Sequence, residues 1–232
     1  MNDEDTAIGG ARAQFPPTRH SLLDAASGSV PNEALDCVMA IYWKPVYRFV
    51  RLKLGKNNED AKDLTQSFFA SALERDFFGR FDPAKGSFRN YLRMAVERFG
   101  ANEHAAAHRQ KRGGDIRMES LADHDVPGES PEEAFDREWR RQLFALAVED
   151  LRAGAAAEGK QLQFAIFEAY DLADEERPSY AALAAQYGIA VTSVTNHLAW
   201  ARRQLRALVA ARLRGVTPDE RELREEMRRL WI

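Results

Sequence analysis

The chain has 232 residues, 45% of them hydrophobic and 30% charged, which allows a buried core in one large domain or two small ones. Its formal net charge is only −3, so affinity for a polyanion has to come from a local patch and not from the total. A single cysteine, Cys37, excludes a disulfide framework or a cysteine zinc site within one chain. No long apolar run follows the charged start, so no signal peptide or membrane span is expected and a cytoplasmic protein is.

Residues 1–30 are polar, with Gly-Gly at 9–10 and Pro-Pro at 16–17, and read as a disordered leader. A helix is predicted from about Pro31 to Gly55. It carries Leu35, Val38, Met39, Tyr42, Trp43, Val46, Phe49 and Val50 at three- and four-residue spacing. Asn57 or Asn58 caps a second helix that reaches Arg75. Phe81 to Ser87 reads as a loop, and a third long helix covers Phe88 to Arg109. Residues 113–130 are rich in Gly, Pro, Asp, Glu and Ser with little apolar periodicity, the composition of a flexible linker.

Further helices are predicted at 132–152, 160–171, 179–187 and 191–212. Thr217, Pro218 and Glu220 open a last helix with a capping-box pattern. Its Leu223, Met227, Leu230 and Trp231 share one face, which either covers the second domain or docks on a regulator. No segment keeps the strand period long enough to predict a sheet. The fold expected is all-α, with a first domain at 31–112, a linker at 113–130, a helix-turn-helix domain at 131–215 and an amphipathic helix at 216–232.

The helix-turn-helix is the sharpest local pattern. Ser179 caps a short helix, Gly188 supplies the turn and Ile189 plugs the core, while Ala184 permits a close helix crossing. On the second helix Val194, Leu198, Ala201, Leu205 and Leu208 fall on the inner face. The outer face carries Thr192, Ser193, Thr195, Asn196, Ala199, Trp200, Arg202, Arg203 and Arg206. From Pro178 to Pro218 there is no Asp or Glu and there are five Arg. Small polar residues near a helix N-terminus reach base edges in a major groove, and Arg further along holds phosphates. An ordinary helical hairpin with a solvated Arg face is the blander reading of the same residues.

In the first domain two helices carry opposite charge. Glu59, Asp60, Asp63 and Gln66 form an acidic stripe with Phe69 at its edge, opposite an apolar face of Ala61, Leu64, Phe68 and Ala72. Such a stripe suits docking on a basic partner helix, or simply solubilises the surface. From Lys85 to Arg112 there are seven Lys or Arg against two Glu. Arg89, Arg93, Arg98, Arg109, Lys111 and Arg112 make a basic stem, Phe88, Tyr91 and Phe99 interleave, and Asn102 lies beyond. Cations, rings and an amide suit single-stranded DNA, although Tyr91 or Phe99 is expected in the core.

These parts in this order resemble the extracytoplasmic-function sigma factors of the sigma-70 family. The stretch EDAKDLTQSFFASALERDFF followed by FRNYLRMAVERFGANE and RQKRGG resembles their region 2, and SYAALAAQYGIAVTSVTNHLAWARRQLRALV their region 4. The resemblance covers residues 31–232. It implies that Glu59, Asp60, Asp63, Gln66 and Phe69 bind the β′ coiled coil of core RNA polymerase. It implies that Phe88, Arg89, Arg93, Arg98, Asn102, Arg109, Lys111 and Arg112 serve the −10 element, duplex and melted. Ser179, Thr192, Ser193, Thr195, Asn196, Ala199, Trp200, Arg202, Arg203 and Arg206 would serve the −35 element, while region 4 also packs on the β flap. Lys62 and Ser67 stand where relatives commonly carry acids, and Ala199 and Trp200 where they often carry basic residues. An anti-sigma factor or a kinase acting at Thr65 or Ser67 fits as a regulator, the latter by restoring negative charge.

The function implied is promoter-directed initiation, without enzymatic chemistry or cofactor. The alternative is a stand-alone helix-turn-helix regulator. A small enzyme is disfavoured, since no nucleophile–base pair, metal set or phosphate-binding glycine loop stands out. His104 and His108 lie four apart but lack a third ligand nearby, so no metal is expected.

Overall fold

In the computed structural model, which describes residues 32–75, 77, 80–110, 128–173, 176–217 and 220–231, the first element is α1, Asn32–Leu54. Its Val38, Ile41, Tyr42, Val46, Phe49 and Val50 are buried, as the three- and four-residue spacing requires. Pro45 sits inside this helix and has no N–H to offer the carbonyl of the preceding turn. Buried Gln142 donates to the Ala40 carbonyl, 3.0 Å away, in that same turn.

The second helix, α2, is Asn58–Glu74. Asn57, and not Asn58, is its cap: the Asn57 side-chain oxygen accepts from the Asp60 amide at 2.8 Å, while Asn58 accepts from the Tyr47 hydroxyl. A 3-10 turn at Pro83–Lys85, capped by Asp82, leads into α3, Phe88–Gln110. The Ser87 hydroxyl oxygen accepts from the Asn90 amide at the start of α3. Both α2 and α3 pack on α1. Gly100 lies where α3 comes closest to the end of α1, and a Cβ there would run into the side chain of Leu54.

Helix α4 is Pro131–Ala157, α5 Gln161–Asp171, α6 Tyr180–Tyr187, α7 Val191–Arg214 and α8 Glu220–Leu230. Every regular element among the described residues is helical, so the all-α expectation holds. Of the predicted linker at 113–130, only 128–130 are described, and 1–30 lie outside the described residues. The start of α4 is closed by a reciprocal cap. The Ser130 amide and hydroxyl donate to Glu133 at 2.9 and 2.8 Å, and the Glu133 amide donates back to the Ser130 hydroxyl oxygen at 3.2 Å.

The contacts divide the chain into two units, Met1–Gln142 with Arg214–Ile232, and Leu143–Leu213. The start of α4 and the whole of α8 therefore group with α1, α2 and α3. In the sequence reading they belong to the second domain and to a separate end helix. In the first unit Ala134, Phe135 and Trp139 of α4 are buried, and Tyr42 meets Phe88 and Phe135 at ring distances of 5.6 and 6.4 Å. Burial pushes the Tyr42 phenol well above its ordinary pKa, against the opposing charge of Arg89.

In the second unit the core is Leu143, Leu146, Leu151, Phe164, Ile166, Phe167, Leu183 and the inner face of α7. That face runs Val194, Leu198, Ala201, Leu205, Val209 and Leu213, and Leu208 is only half-buried. Arg212 holds Asp150 with two hydrogen bonds of 2.6 and 2.8 Å, tying the end of α7 to α4.

Candidate nucleic-acid interface

The second unit presents α6 and α7 joined by residues 188–190. Ser179 caps α6, its hydroxyl oxygen accepting from the Ala182 amide at 3.1 Å, so the cap expected from sequence forms. Gly188 takes the left-handed conformation, φ +65°, that ends α6 and turns the chain toward α7. Ala184 is buried, whereas Ile189, expected to plug the core, is only half-buried.

On α7, Thr192, Thr195, Asn196, Ala199, Arg202, Arg203 and Arg206 are exposed, and Ser193 and Trp200 are half-buried. The Thr195 hydroxyl donates to the Val191 carbonyl at 3.4 Å. Lys160 lies over the Trp200 ring at 5.1 Å, which brings a cation beside a position where sequence alone shows none. Arg202 is engaged within the chain: Asp171 accepts both of its hydrogen bonds, and its guanidinium lies 5.7 Å from the Tyr170 ring. The absence of acids from 178 to 218 thus concealed carboxylates from other helices, Asp150, Asp171 and Glu220, that meet the α7 arginines Arg212, Arg202 and Arg214.

In the first unit, Glu59, Asp60, Asp63 and Ser67 are exposed along α2 and Gln66 is half-buried. Asp60 accepts from Asn57 at 3.2 Å, and Lys62 reaches back to Glu59 at 3.4 Å, which neutralises one acid of the stripe. Phe69 is not at an exposed edge. It is buried and stacked on Trp43 with ring centroids 5.8 Å apart, and its neighbour Phe68 is buried too, so the covered sector of α2 takes in both rings. Thr65 is buried as well, so a kinase cannot reach it in the folded chain, whereas Ser67 is open.

The basic helix divides into two parts. At its start Phe88 is buried in the aromatic core. Arg89 is also drawn inward: it pairs with Asp136 at 3.2 Å and Glu226 at 3.1 Å, and its guanidinium lies 4.2 Å over the Trp139 ring. The expectation that these two side chains face DNA is not met in this arrangement, because α4 and α8 supply partners that no local pattern reveals. Arg93 is held by Asn90 at 3.2 Å. Further along, Arg98 and Asn102 are exposed. Arg109 falls on the last turn of α3, where only the backbone is described, and Lys111 and Arg112 lie outside the described residues.

Arg98 and Asn102 share the wall of a cavity of about 460 Å³ between α2 and α3. Its floor is aromatic. Phe77 and Tyr91 stack with centroids 4.5 Å apart, the Tyr91 hydroxyl donates to the Phe77 carbonyl, and Phe68 meets Phe99 edge to face. Arg75, Arg80 and the exposed Met94 also line it. Sequence reasoning passed over these three. A count of basic residues begun at Lys85 leaves out Arg75 and Arg80, although both flank the loop that enters α3.

A cavity lined by aromatic rings, arginines and an amide can accept a planar ring and the phosphates beside it. The volume falls within the roughly 300–1,000 Å³ of small-ligand pockets. Among the described residues no group of three or more His, Cys, Asp and Glu could hold a metal ion, and no helix is long and apolar enough to cross a membrane. Comparison of the chain with protein-family models, with curated proteins and with solved structures gives no match.

Proposed function

We propose that this chain is a sigma factor of the extracytoplasmic-function type, which binds core RNA polymerase and directs initiation by reading −10 and −35 promoter elements. The observation that carries the reading is the cavity between α2 and α3. It joins exposed Arg98 and Asn102 to an aromatic floor and two further arginines, Arg75 and Arg80.

In this reading the cavity receives a base extruded from the melted −10 strand. Asn102 addresses its edge, and the arginines neutralise the flanking phosphates. Asp60 and Asp63 on the exposed face of α2 dock on the basic coiled coil of the β′ subunit. In the other unit Thr192, Thr195 and Asn196, near the N-terminus of α7, meet base edges of the −35 duplex, while Arg203 and Arg206 hold its backbone.

The test is co-elution of the full chain with core polymerase, followed by run-off transcription over a genomic library. Co-elution with discrete start sites supports the reading. A chain that runs alone, as a monomer or a dimer, and adds no start sites overturns it in favour of a stand-alone DNA-binding regulator.

A further inference from the structure

The start of α3 is occupied by the chain's own C-terminal helix. Glu222 of α8 is buried and accepts the Phe88 amide at 2.9 Å, which is an N–H at the N-terminus of α3. One turn further along α8, buried Glu226 pairs with Arg89 and also with Arg229. Asp136 of α4 takes the other side of the Arg89 guanidinium. A helix N-terminus and a guanidinium are the two donors that proteins use most readily for phosphate oxygens, and here each holds a carboxylate instead.

The attachment of α8 is mostly ionic. Its sequence, ERELREEMRRL, has four Glu and four Arg, and Leu223 is its one buried apolar residue. An apolar helix would resist a competing polyanion, whereas a phosphate can take over the donors that these carboxylates hold, so that neither donor is left unpaired when α8 leaves.

We infer that α8 is an autoinhibitory plug that mimics a DNA phosphate strand. Docked, it masks the Phe88 amide and Arg89. Displaced, it opens the start of α3 to the phosphodiester backbone, next to the cavity in which Tyr91 and Arg98 stand. This rests on the proposed function, because it takes α3 to be a DNA-facing helix.

The test measures binding of a fluorescent 20-nucleotide oligothymidine to three proteins across a salt series. These are the full chain, a chain ending at Gly215, and the double variant Glu222→Gln with Glu226→Gln. Segment 217–232 contains five acids and four arginines, so its removal raises net charge by one, and the double variant raises it by two. A fourth protein, Glu220→Gln with Glu225→Gln, carries the same charge change on α8 outside the contact with Phe88 and Arg89, and a gain as large in that control overturns the plug. The plug predicts binding tighter by about tenfold in both altered proteins, the ratio that one unmasked charge-assisted hydrogen bond represents. It also predicts a salt slope steeper by about 0.7 for each phosphate gained. A synthetic peptide of residues 217–232 added to the shortened chain should restore weak binding.

If the shortened chain loses its cooperative melt, the double variant decides alone. Unchanged or weaker binding by a folded double variant overturns the plug and leaves α8 a structural brace. If the full chain still drives run-off transcription in that case, only the plug has failed. If no form binds DNA or polymerase, the proposed function has failed and the plug with it.

Discussion

The guanidinium of Arg202 and the carboxylate of Asp171 face each other through two hydrogen bonds of 2.8 Å. An arginine on the outer face of α7 is thereby fixed to α5, in a geometry that orients it whether or not DNA is present. The expected outcome is that Asp171→Ala and Arg202→Ala each cost about 1 kcal/mol, at the upper end for a partly exposed pair. The double variant should cost little more than either single one, which urea unfolding of the three proteins measures. Fully additive losses would mean that the two side chains are not coupled to each other.

Asn196 and Arg203 are both exposed on α7 but differ in what they can read. Asn196→Ala should change which −35 sequences are preferred, with a discrimination loss of about 1–3 kcal/mol at one position. Arg203→Ala should weaken binding evenly over all sequences and lower the salt slope by about one. Competition binding against a randomised duplex pool separates the two, and equal sequence-blind losses would sink the assignment.

Docking on polymerase is expected to depend on the open face of α2. Asp63→Arg should abolish co-elution with core polymerase while the melting temperature stays within a few degrees, because Asp63 is exposed. Ser67→Glu adds charge on that same open face and should tighten co-elution. Thr65→Glu forces a carboxylate into a fully buried position and should destabilise the chain by several kcal/mol without a gain in binding. Retained co-elution of Asp63→Arg would place the polymerase contact elsewhere.

The cap of α4 gives a pH signature. The Ser130 amide and hydroxyl, both donating to Glu133, hold its carboxyl below the usual carboxylate range. A carboxyl depressed in the folded state stabilises the fold above its unfolded pKa of about 4.3, and that contribution disappears as pH falls through the folded value. Thermal melts from pH 7 to pH 3 should show Glu133→Gln less stable than the parent at neutral pH, with the difference closing in acid. A gap that stays constant over that range would rule out the cap as a source of pH dependence.

The helices were legible because their apolar spacing is a local property. The stripe Val194, Leu198, Ala201 and Leu205 and the cap at Ser179 need nothing from distant chain to be read. The reciprocal cap of Ser130 and Glu133 was also readable, in SPEE at 130–133, but the composition around it reads as linker. Phe69 was misplaced because helical periodicity separates neighbours by 100° and does not say how wide the covered sector is. Trp43 covers Phe69, while Phe77 and Phe99 meet Phe68 edge to face.

The α8 contact was illegible for a stronger reason. Beside Leu223 its buried residues are Glu222 and Glu226, which any hydrophobic pattern assigns to solvent, and their partners lie 134 and 137 positions upstream. Arg89 looks like a DNA contact in sequence, and only tertiary structure supplies Trp139, Asp136 and Glu226 around it.

The distance between Phe88 and Glu222 along the chain has a consequence for synthesis. A ribosome adding about 5–20 residues per second reaches Glu222 roughly seven to twenty-seven seconds after Phe88 is made. During that interval the first amide of α3 has no carboxylate to take it. A nascent chain, or one ended before Glu222, therefore presents the start of α3 uncovered, and the arrival of α8 marks the moment at which it is first closed.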